Sequence, residues 1–169
     1  MKRLLLCRHA KSSWKDLTLS DIDRPLNRRG KKDAPEMGKR LAALGIRPDM
    51  IVSSPACRAL ATARKMAGAL GFGRKNISII EEVYGATVEE LLEVIQGLDD
   101  AADLVLIVGH NSEITVLANI LGNLDIDNIP TCGVVSLDFP VRSWRKIGPG
   151  KGALVFFAYP RMGGMERPA

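Results

Sequence analysis

Short apolar runs alternate along the chain with longer stretches in which apolar residues recur every three or four positions. The short runs predict six β-strands, at Leu4–Cys7, Met50–Ser53, Ile77–Ile80, Leu104–Val108, Val134–Phe139 and Leu154–Tyr159. These runs are apolar on both faces, which is typical of strands that helices cover on both sides of a sheet.

The longer stretches predict four helices, at Asn27–Leu44 with Pro35 as an irregularity, from Ser54 to Leu70, from Thr87 to Ile95 and at Ser112–Leu121. We expect Ser54 to cap the second helix and Pro55 to be its first residue. The sequence TVEE at Thr87–Glu90 is a capping box that opens the third helix.

The alternation of strands and helices predicts an α/β fold, a three-layer sandwich with a mostly parallel central sheet flanked by helices. No helix is predicted between the last two strands, so we expect one of them to be an antiparallel edge strand. A length of 169 residues fits one domain, placed at residues 1–160, and residues 161–169 are predicted to be a frayed tail.

The composition, 46% apolar and 25% charged, is ordinary for a soluble globular protein. No apolar run approaches the roughly 20 residues of a membrane helix, and Arg8 and His9 end the first apolar run too early for a signal peptide. We therefore predict a cytoplasmic protein without a membrane partner. Three cysteines, without CxxC spacing, are expected to be reduced.

The formal charge of +5 fits an anionic ligand. Basic residues are not interleaved with aromatic ones, so no nucleic-acid partner is predicted.

Polar side chains follow the predicted strands at the point where each strand ends. In chain order they are Arg8 and His9, then Ser53, Ser54 and Arg58, then Glu81 and Glu82, then His110 and Asn111. Ligands of open α/β sheets bind outside the carboxyl ends of the strands, and both histidines of the chain lie at such ends.

Arginine forks match phosphate oxygens, and a neutral imidazole can attack phosphorus. Nearby cations favour that neutral form, and the start of the helix after Asn111 can add backbone N–H donors. Such a site acts by electrostatics, without a metal. Taken singly, each residue has a structural explanation, so the residues alone leave a phosphate site and ordinary structural roles both open.

Three motifs in order resemble those of the histidine phosphatase (phosphoglycerate mutase-like) superfamily. They are LCRHAKSSW from Leu6 to Trp14, SSPACRALATA at Ser53–Ala63 and VGHN at Val108–Asn111. DIDRPLNRRG at Asp21–Gly30 resembles a stretch of the small phosphohistidine phosphatase branch. The resemblance runs from Leu4 to about Phe139.

The resemblance implies a phosphoglycerate mutase-like fold and a phosphatase that needs no cofactor. His9 would be the nucleophile, and Arg8, Arg58 and His110 would complete the phosphate pocket, with Ser12 and Asn111 as further phosphate-binding residues. Water would hydrolyse the phosphohistidine intermediate. Glu82, beside Glu81, is the nearest match to the acid that protonates the leaving group in mutase-type members.

The chain departs from the family pattern at two positions. Ala10 replaces a glycine, which matters only if the backbone there needs a positive φ. Lys15 stands where mutases have an asparagine, and it is either a substrate-binding charge or plain surface. The short chain suggests an open site that a protein-borne phosphohistidine could reach.

Other phosphatase classes fit less well. The residues six positions after the three cysteines are Ser13, Ala63 and Asp138, not the arginine of a cysteine-dependent phosphatase. Asp21 and Asp23 follow no apolar strand, so we interpret them as a loop in which Asp23 pairs with Arg24. There is no phosphate-binding GxxxxGK[ST] loop, and two separated histidines do not suggest a metallophosphatase.

The sequence therefore predicts a metal-independent phosphatase that works through phospho-His9, with a phosphohistidine-bearing protein as the favoured substrate. Imidazole, with a pKa of about 6.5, leaves with little help from an acid. The alternatives are a small-molecule phosphomonoesterase that uses Glu82 as general acid, because an alcohol leaving group needs one, and a non-catalytic phosphate or phosphoprotein sensor.

Overall fold

The computed structural model describes residues 1–161, and they contain a six-stranded sheet. Its strands are β1 Lys2–Arg8, β2 Met50–Ser53, β3 Ser78–Ile79, β4 Leu104–Gly109, β5 Val134–Phe139 and β6 Ala153–Ala158. They lie in the order β3-β2-β4-β1-β5-β6. From residue 162 on, the predicted tail lies outside the described residues.

The strand directions confirm a mostly parallel sheet, and they show that the reversed strand is not the one at the edge. β1 to β4 pair in parallel, whereas β5 is antiparallel to both of its neighbours, β1 and β6. The reversed strand is thus the interior strand β5, and the edge strand β6 runs in the direction of β1. The third strand is also shorter than predicted, because only Ser78–Ile79 pair with β2.

Helices cover both faces of the sheet. They are α1 Arg28–Ala43, α2 Cys57–Leu70, α3 Val88–Gln96 and α4 Glu113–Gly122. Alternate residues of β1 face opposite layers: Leu5 lies in a core cluster with Met37 of α1 and Met66 of α2, and Leu6 in a second cluster with residues of α3 and α4. The three-layer α/β sandwich is therefore confirmed.

Two of the helices begin at the capping residues that the local sequence indicates, and one does not. Asn27 caps α1 by accepting from the N–H of Gly30 at 2.9 Å, and the capping box at Thr87 is present. The predicted cap of α2 is wrong, since α2 begins at Cys57 and Ser54 lies outside it. The Ser54 hydroxyl instead accepts from the N–H of Ala56 at 3.1 Å and contacts a histidine ring described below.

Short 3-10 helices lie in the connecting loops, at Asp21–Asp23, Arg74–Asn76, Glu81–Val83 and Trp144–Lys146. Within residues 1–161, no helix is both long enough and apolar enough to cross a membrane. The cytoplasmic location stays a prediction.

The three cysteines of the chain are free thiols, two of them buried at Cys7 and Cys132 and one exposed at Cys57. Burial raises the pKa of the Cys7 and Cys132 thiols. Neither buried thiol is therefore suited to act as a nucleophile.

Gly30 lies where the first turn of α1 packs against the loop after β1. A Cβ atom at this position would overlap the backbone carbonyl oxygen of Lys11. We expect Gly30→Ala to lower the free energy of unfolding by about 1–3 kcal/mol, the usual cost of overpacking, and to reduce activity because the displaced loop follows His9. Urea denaturation measures the first effect, and Gly97→Ala is the control, since the nearest atom there is 3.5 Å away. Equal stability of the two variants would contradict this close packing.

Candidate active site

The ends of β1 and β4 bring the two histidines together. Arg8 is paired with Gly109 in the parallel register, and the N–H of His9 donates to the Gly109 carbonyl at 3.0 Å. The rings of His9 and His110 consequently lie next to each other, with 5.2 Å between their centroids. β2 and the start of α2 bring Arg58 to the same edge of the sheet.

The His9 ring is held in one tautomer. Nδ1 lies 2.7 Å from the backbone carbonyl of Ala10, which can only accept a hydrogen bond, so Nδ1 carries the proton. Nε2 is left with its lone pair. Burial is the main cause that lowers the pKa of His9 to about 3, and electrostatic interactions with His110, Arg58 and Arg8 contribute in the same direction. The ring is therefore neutral at pH 7, as a nucleophile must be.

A hydroxyl joins the His9 loop to α2. The N–H of Ala10 donates to Thr62 Oγ1 at 2.9 Å, and that hydroxyl donates to the Arg58 carbonyl at 2.7 Å. Ala10 is fully buried and is not among the residues with positive φ. Alanine in place of the family's glycine is thus accommodated without backbone strain.

His110 is the second ring of the site. Its Nε2 lies 2.8 Å from Ser54 Oγ, which explains why Ser54 does not cap α2. Burial, with help from the nearby Arg58 cation, lowers the pKa of His110 to about 4. Its Nδ1 is buried without a hydrogen-bond partner.

The loop before α1 supplies Asp21, which accepts two hydrogen bonds from Arg58. Both terminal nitrogens of Arg58 donate to Asp21, Nη1 to the backbone carbonyl at 2.7 Å and Nη2 to the carboxylate at 3.0 Å. The hydrogen bond from the Tyr84 hydroxyl, followed by those of Arg58 and Arg24, lowers the pKa of Asp21 to about 2. Asp21 is therefore an ionised anchor at neutral pH and not a proton donor.

Arg24 also belongs to this arrangement, and its predicted pairing with Asp23 is wrong. Its Nε donates to Asp21 Oδ1 at 3.2 Å and its Nη1 to Ser12 Oγ at 3.0 Å. Asp23 instead accepts from the hydroxyl of Ser20.

A cavity of about 250 Å³ contains all of the predicted phosphate-binding side chains. Its lining residues are Arg8, His9, Lys11, Ser12, Trp14, Arg24, Arg58, His110, Asn111 and Thr131. Three nitrogens of this set, Arg8 Nε, Arg58 Nε and His110 Nδ1, are buried without a partner in the described part of the chain. Buried polar groups rarely lack a hydrogen-bond partner. An oxyanion bound in the cavity would accept hydrogen bonds from these nitrogens.

Ser12 and Asn111 differ in what they can offer a phosphate. Ser12 Oγ accepts from Arg24 and keeps its own proton free to donate. The Asn111 side chain is already engaged, since Nδ2 donates to Asn128 and Oδ1 accepts from the Thr115 hydroxyl at 2.7 Å. A phosphate contact of Asn111 would therefore use its backbone.

Glu82 lies apart from the residues just described. It is exposed in the 3-10 helix Glu81–Val83 and is not among the lining residues of the cavity. A second carboxylate, Glu113, instead lines an adjoining cavity. Sequence reasoning missed Glu113, although it follows His110 by three positions, close to one helical turn. In residues 1–161, no His, Cys, Asp and Glu side chains form a group of three or more that could hold a metal ion.

Comparison with known proteins agrees with this geometry. The model of the histidine phosphatase superfamily, branch 1, matches residues 4–91. The chain belongs to the histidine phosphatase superfamily. This membership and the structural likeness described next make it a phosphatase.

Two relatives and two solved structures illustrate the likeness. An uncharacterised chloroplast protein of Arabidopsis thaliana is 34% identical over 88% of this chain and 73% of its own length, and an uncharacterised Mycobacterium tuberculosis protein is 31% identical over 91% and 99%. An Agrobacterium tumefaciens structure provisionally named phosphohistidine phosphatase SixA has a TM-score of 0.79 at 29% identity, covering 94% of this chain and 98% of that one.

A tungstate complex of the protein histidine phosphatase SixA also has a TM-score of 0.79, at 19% identity, with 94% of this chain and 97% of that chain covered. The superfamily and its SixA-like branch are therefore confirmed.

The two lowered histidine pKa values make stability depend on pH. In the unfolded chain both rings become protonated as the pH falls through 6.5. In the folded chain His9 becomes protonated only near pH 3 and His110 only near pH 4. The unfolded state binds more protons in that window, so stability is lost as pH falls below 6.5, by about 1.4 kcal/mol per pH unit per histidine. Urea denaturation at pH 7 and pH 5 measures this loss. In His9→Ala the His9 contribution should vanish, and an unchanged loss would mean that His9 is not held neutral.

Proposed function

We propose that this chain hydrolyses phosphohistidine, through a phosphorylated intermediate on His9 and without a metal. The observation that carries the proposal is that two features occur around one cavity: the His9 Nε2 atom with a free lone pair, and three buried nitrogens without hydrogen-bond partners. A nucleophile and a set of oxyanion donors that share a cavity are what phosphoryl transfer needs.

The residues divide the reaction between them. His9 Nε2 attacks phosphorus, the bond to the leaving group breaks, and the electron pair goes to the leaving group. The guanidiniums of Arg8 and Arg58 hold the phosphoryl oxygens as charge gathers there. The Nδ1 proton of His9, held by the Ala10 carbonyl, supports the positive charge that its ring acquires. Water then cleaves the phospho-His9 bond and restores the ring.

The leaving group separates the proposed substrate from its main rival. An alcohol needs a placed acid to leave, and Glu82 is exposed and away from the cavity. Imidazole, with a pKa of about 6.5, leaves without one. The site therefore gives a phosphomonoesterase that uses Glu82 as its acid less support than the phosphohistidine alternative. A non-catalytic sensor would need the phosphate pocket but no nucleophile with a free lone pair.

The open mouth of the phosphate cavity suits a substrate that is itself a folded protein. The cavity opens to solvent beside the exposed Trp14, so a phosphorylated histidine on a folded protein can reach it. The Agrobacterium protein that is 29% identical carries the provisional name of a phosphohistidine phosphatase, which supports the same substrate class.

The test compares phosphate release from a phosphohistidine-bearing protein and from an aryl phosphomonoester, both in chelator, and looks for a phosphoenzyme. We expect a larger kcat/KM for phosphohistidine and protein-bound phosphate that is labile to acid and stable to alkali. A larger kcat/KM for the ester would favour the phosphomonoesterase. Phosphate binding with no release of phosphate from either compound would favour the sensor.

A further inference from the structure

A second cavity adjoins the phosphate cavity. It has a volume of about 320 Å³, and Arg58, His110 and Asn111 line both. Since His110 and Arg58 form the shared wall, a phosphoryl group bound between them has this second space beside it. The space is large enough for a five-membered ring, and the mechanism described so far makes no use of it.

The linings of the two cavities differ in charge. The side chains that line the phosphate cavity include four cations and no carboxylate. The second cavity is lined by two carboxylates, Asp21 and Glu113, and by the ring of Tyr84, whose edge meets His110 at 5.6 Å between centroids. Among the described residues of this lining, Arg58 is the one cation, and Asp21 already pairs with it, so the unpaired charge is the carboxylate of Glu113, which favours a cationic aromatic ring over an anionic sugar phosphate or carboxylic acid.

The two carboxylates differ in what they can still bind. Asp21 already accepts from Arg58, Arg24 and Tyr84. Glu113 is half-buried, and its carboxylate has no hydrogen bond or ion pair to any of residues 1–161. It lies in the first turn of α4, at the end of the helix whose backbone N–H groups point toward the site. Glu113 is thus the free acceptor in this cavity, and the buried Arg58 forms part of the wall that the cavity shares with the phosphate cavity.

The chemistry of a phosphorylated imidazole explains why a free carboxylate matters. When its second nitrogen is protonated, the ring is a cation, and breaking the P–N bond returns the electron pair to the first nitrogen, so a neutral imidazole leaves. When the second nitrogen is bare, the same step would expel an imidazolide anion. The reaction therefore needs a proton kept on the second nitrogen, and no proton has to move during the step.

We propose that the second cavity is the leaving-group subsite for a cationic nitrogen heterocycle, and that Glu113 accepts a hydrogen bond from its second N–H. The carboxylate charge keeps that nitrogen protonated, while Tyr84 contacts the ring. This inference rests on the proposed function, because it assigns the binding mode of the same substrate.

The test compares Glu113→Gln with wild type on two substrates that differ in the charge of the leaving group. One is a phosphohistidine-bearing protein, and the other is an aryl phosphomonoester, whose leaving group is a phenolate. We expect kcat/KM for phosphohistidine to fall about 10- to 100-fold, as for loss of a charge-assisted hydrogen bond, and kcat/KM for the ester to stay or rise. In wild type, kcat/KM for phosphohistidine should fall with rising pH as the second nitrogen loses its proton, and in the variant that fall should begin at lower pH.

Glu89→Gln is the matched control, because Glu89 also lies in the first turn of a helix but lines neither cavity. It should change neither substrate's kcat/KM. Equal loss on both substrates, or no loss on phosphohistidine, would overturn the subsite assignment while leaving the proposed function standing. If wild-type protein leaves phosphohistidine intact, the proposed function fails and the subsite assignment falls with it.

Discussion

His9→Ala is expected to abolish phosphate release, with a fall in kcat of at least about 10⁴-fold, because removing the nucleophile of a covalent mechanism removes the reaction path. His110 is not a substitute, since its Nε2 is engaged with Ser54 and its Nδ1 is the proposed donor to the phosphate oxygens. The variant should also form no phosphoenzyme. Rapid-quench measurement of protein-bound phosphate in a single turnover checks both statements.

Two controls distinguish loss of the nucleophile from loss of folding. His9 is buried as a neutral ring, so we expect His9→Ala to remain folded at pH 7, which its urea midpoint will show. His110→Asn should lower kcat about 10²- to 10³-fold, as for loss of one oxyanion donor, yet still form the phosphoenzyme. Phosphate release by His9→Ala at the wild-type rate would disprove the covalent mechanism.

Arg58→Ala is expected to lower kcat/KM about 10³-fold. The guanidinium contributes charge and donors to the transition state, and one such donor is worth about 10²–10³. Arg58→Lys should recover little, because a point charge lacks the planar fork that Asp21 holds in place through two hydrogen bonds. Steady-state kinetics on both substrates measures the effect.

The control for Arg58 lies on the same helix. Arg64 is exposed on α2 and does not line the phosphate cavity, so Arg64→Ala should leave kcat/KM within about twofold of wild type, as expected for a surface change. Equal losses in Arg58→Ala and Arg64→Ala would point to general electrostatic attraction of the substrate in place of a defined pocket.

The approach of Arg8, His9 and His110 could be predicted because each follows a strand, and the carboxyl ends of parallel strands share one edge of the sheet. Arg58 could be predicted for a similar reason, since it lies in the first turn after β2. These placements depend on local pattern and on a general rule of α/β folds. The functional roles of these residues stay predictions.

The contacts that were missed depend on distant residues. Asp21 meets Arg58 from a loop 37 positions away, and no periodicity marks that loop. Ser54 has the local signal of a helix cap, but a hydrogen bond to His110, 56 positions away, removes it from that role. The reversed direction of β5 also follows from which strand it pairs with, which its own residues do not encode.

Trp14 gives the site an optical property. It is one of two tryptophans in the chain, 65% exposed, and its ring stacks on the guanidinium of Arg24 at 3.5 Å. Arg24 also lines the phosphate cavity, so an anion that draws this guanidinium inward changes the surroundings of the indole. Trp144 is fully buried elsewhere and supplies a constant background. The intrinsic fluorescence of the protein is therefore expected to report occupancy of the cavity directly, which allows ligand affinity to be titrated in variants that no longer turn over.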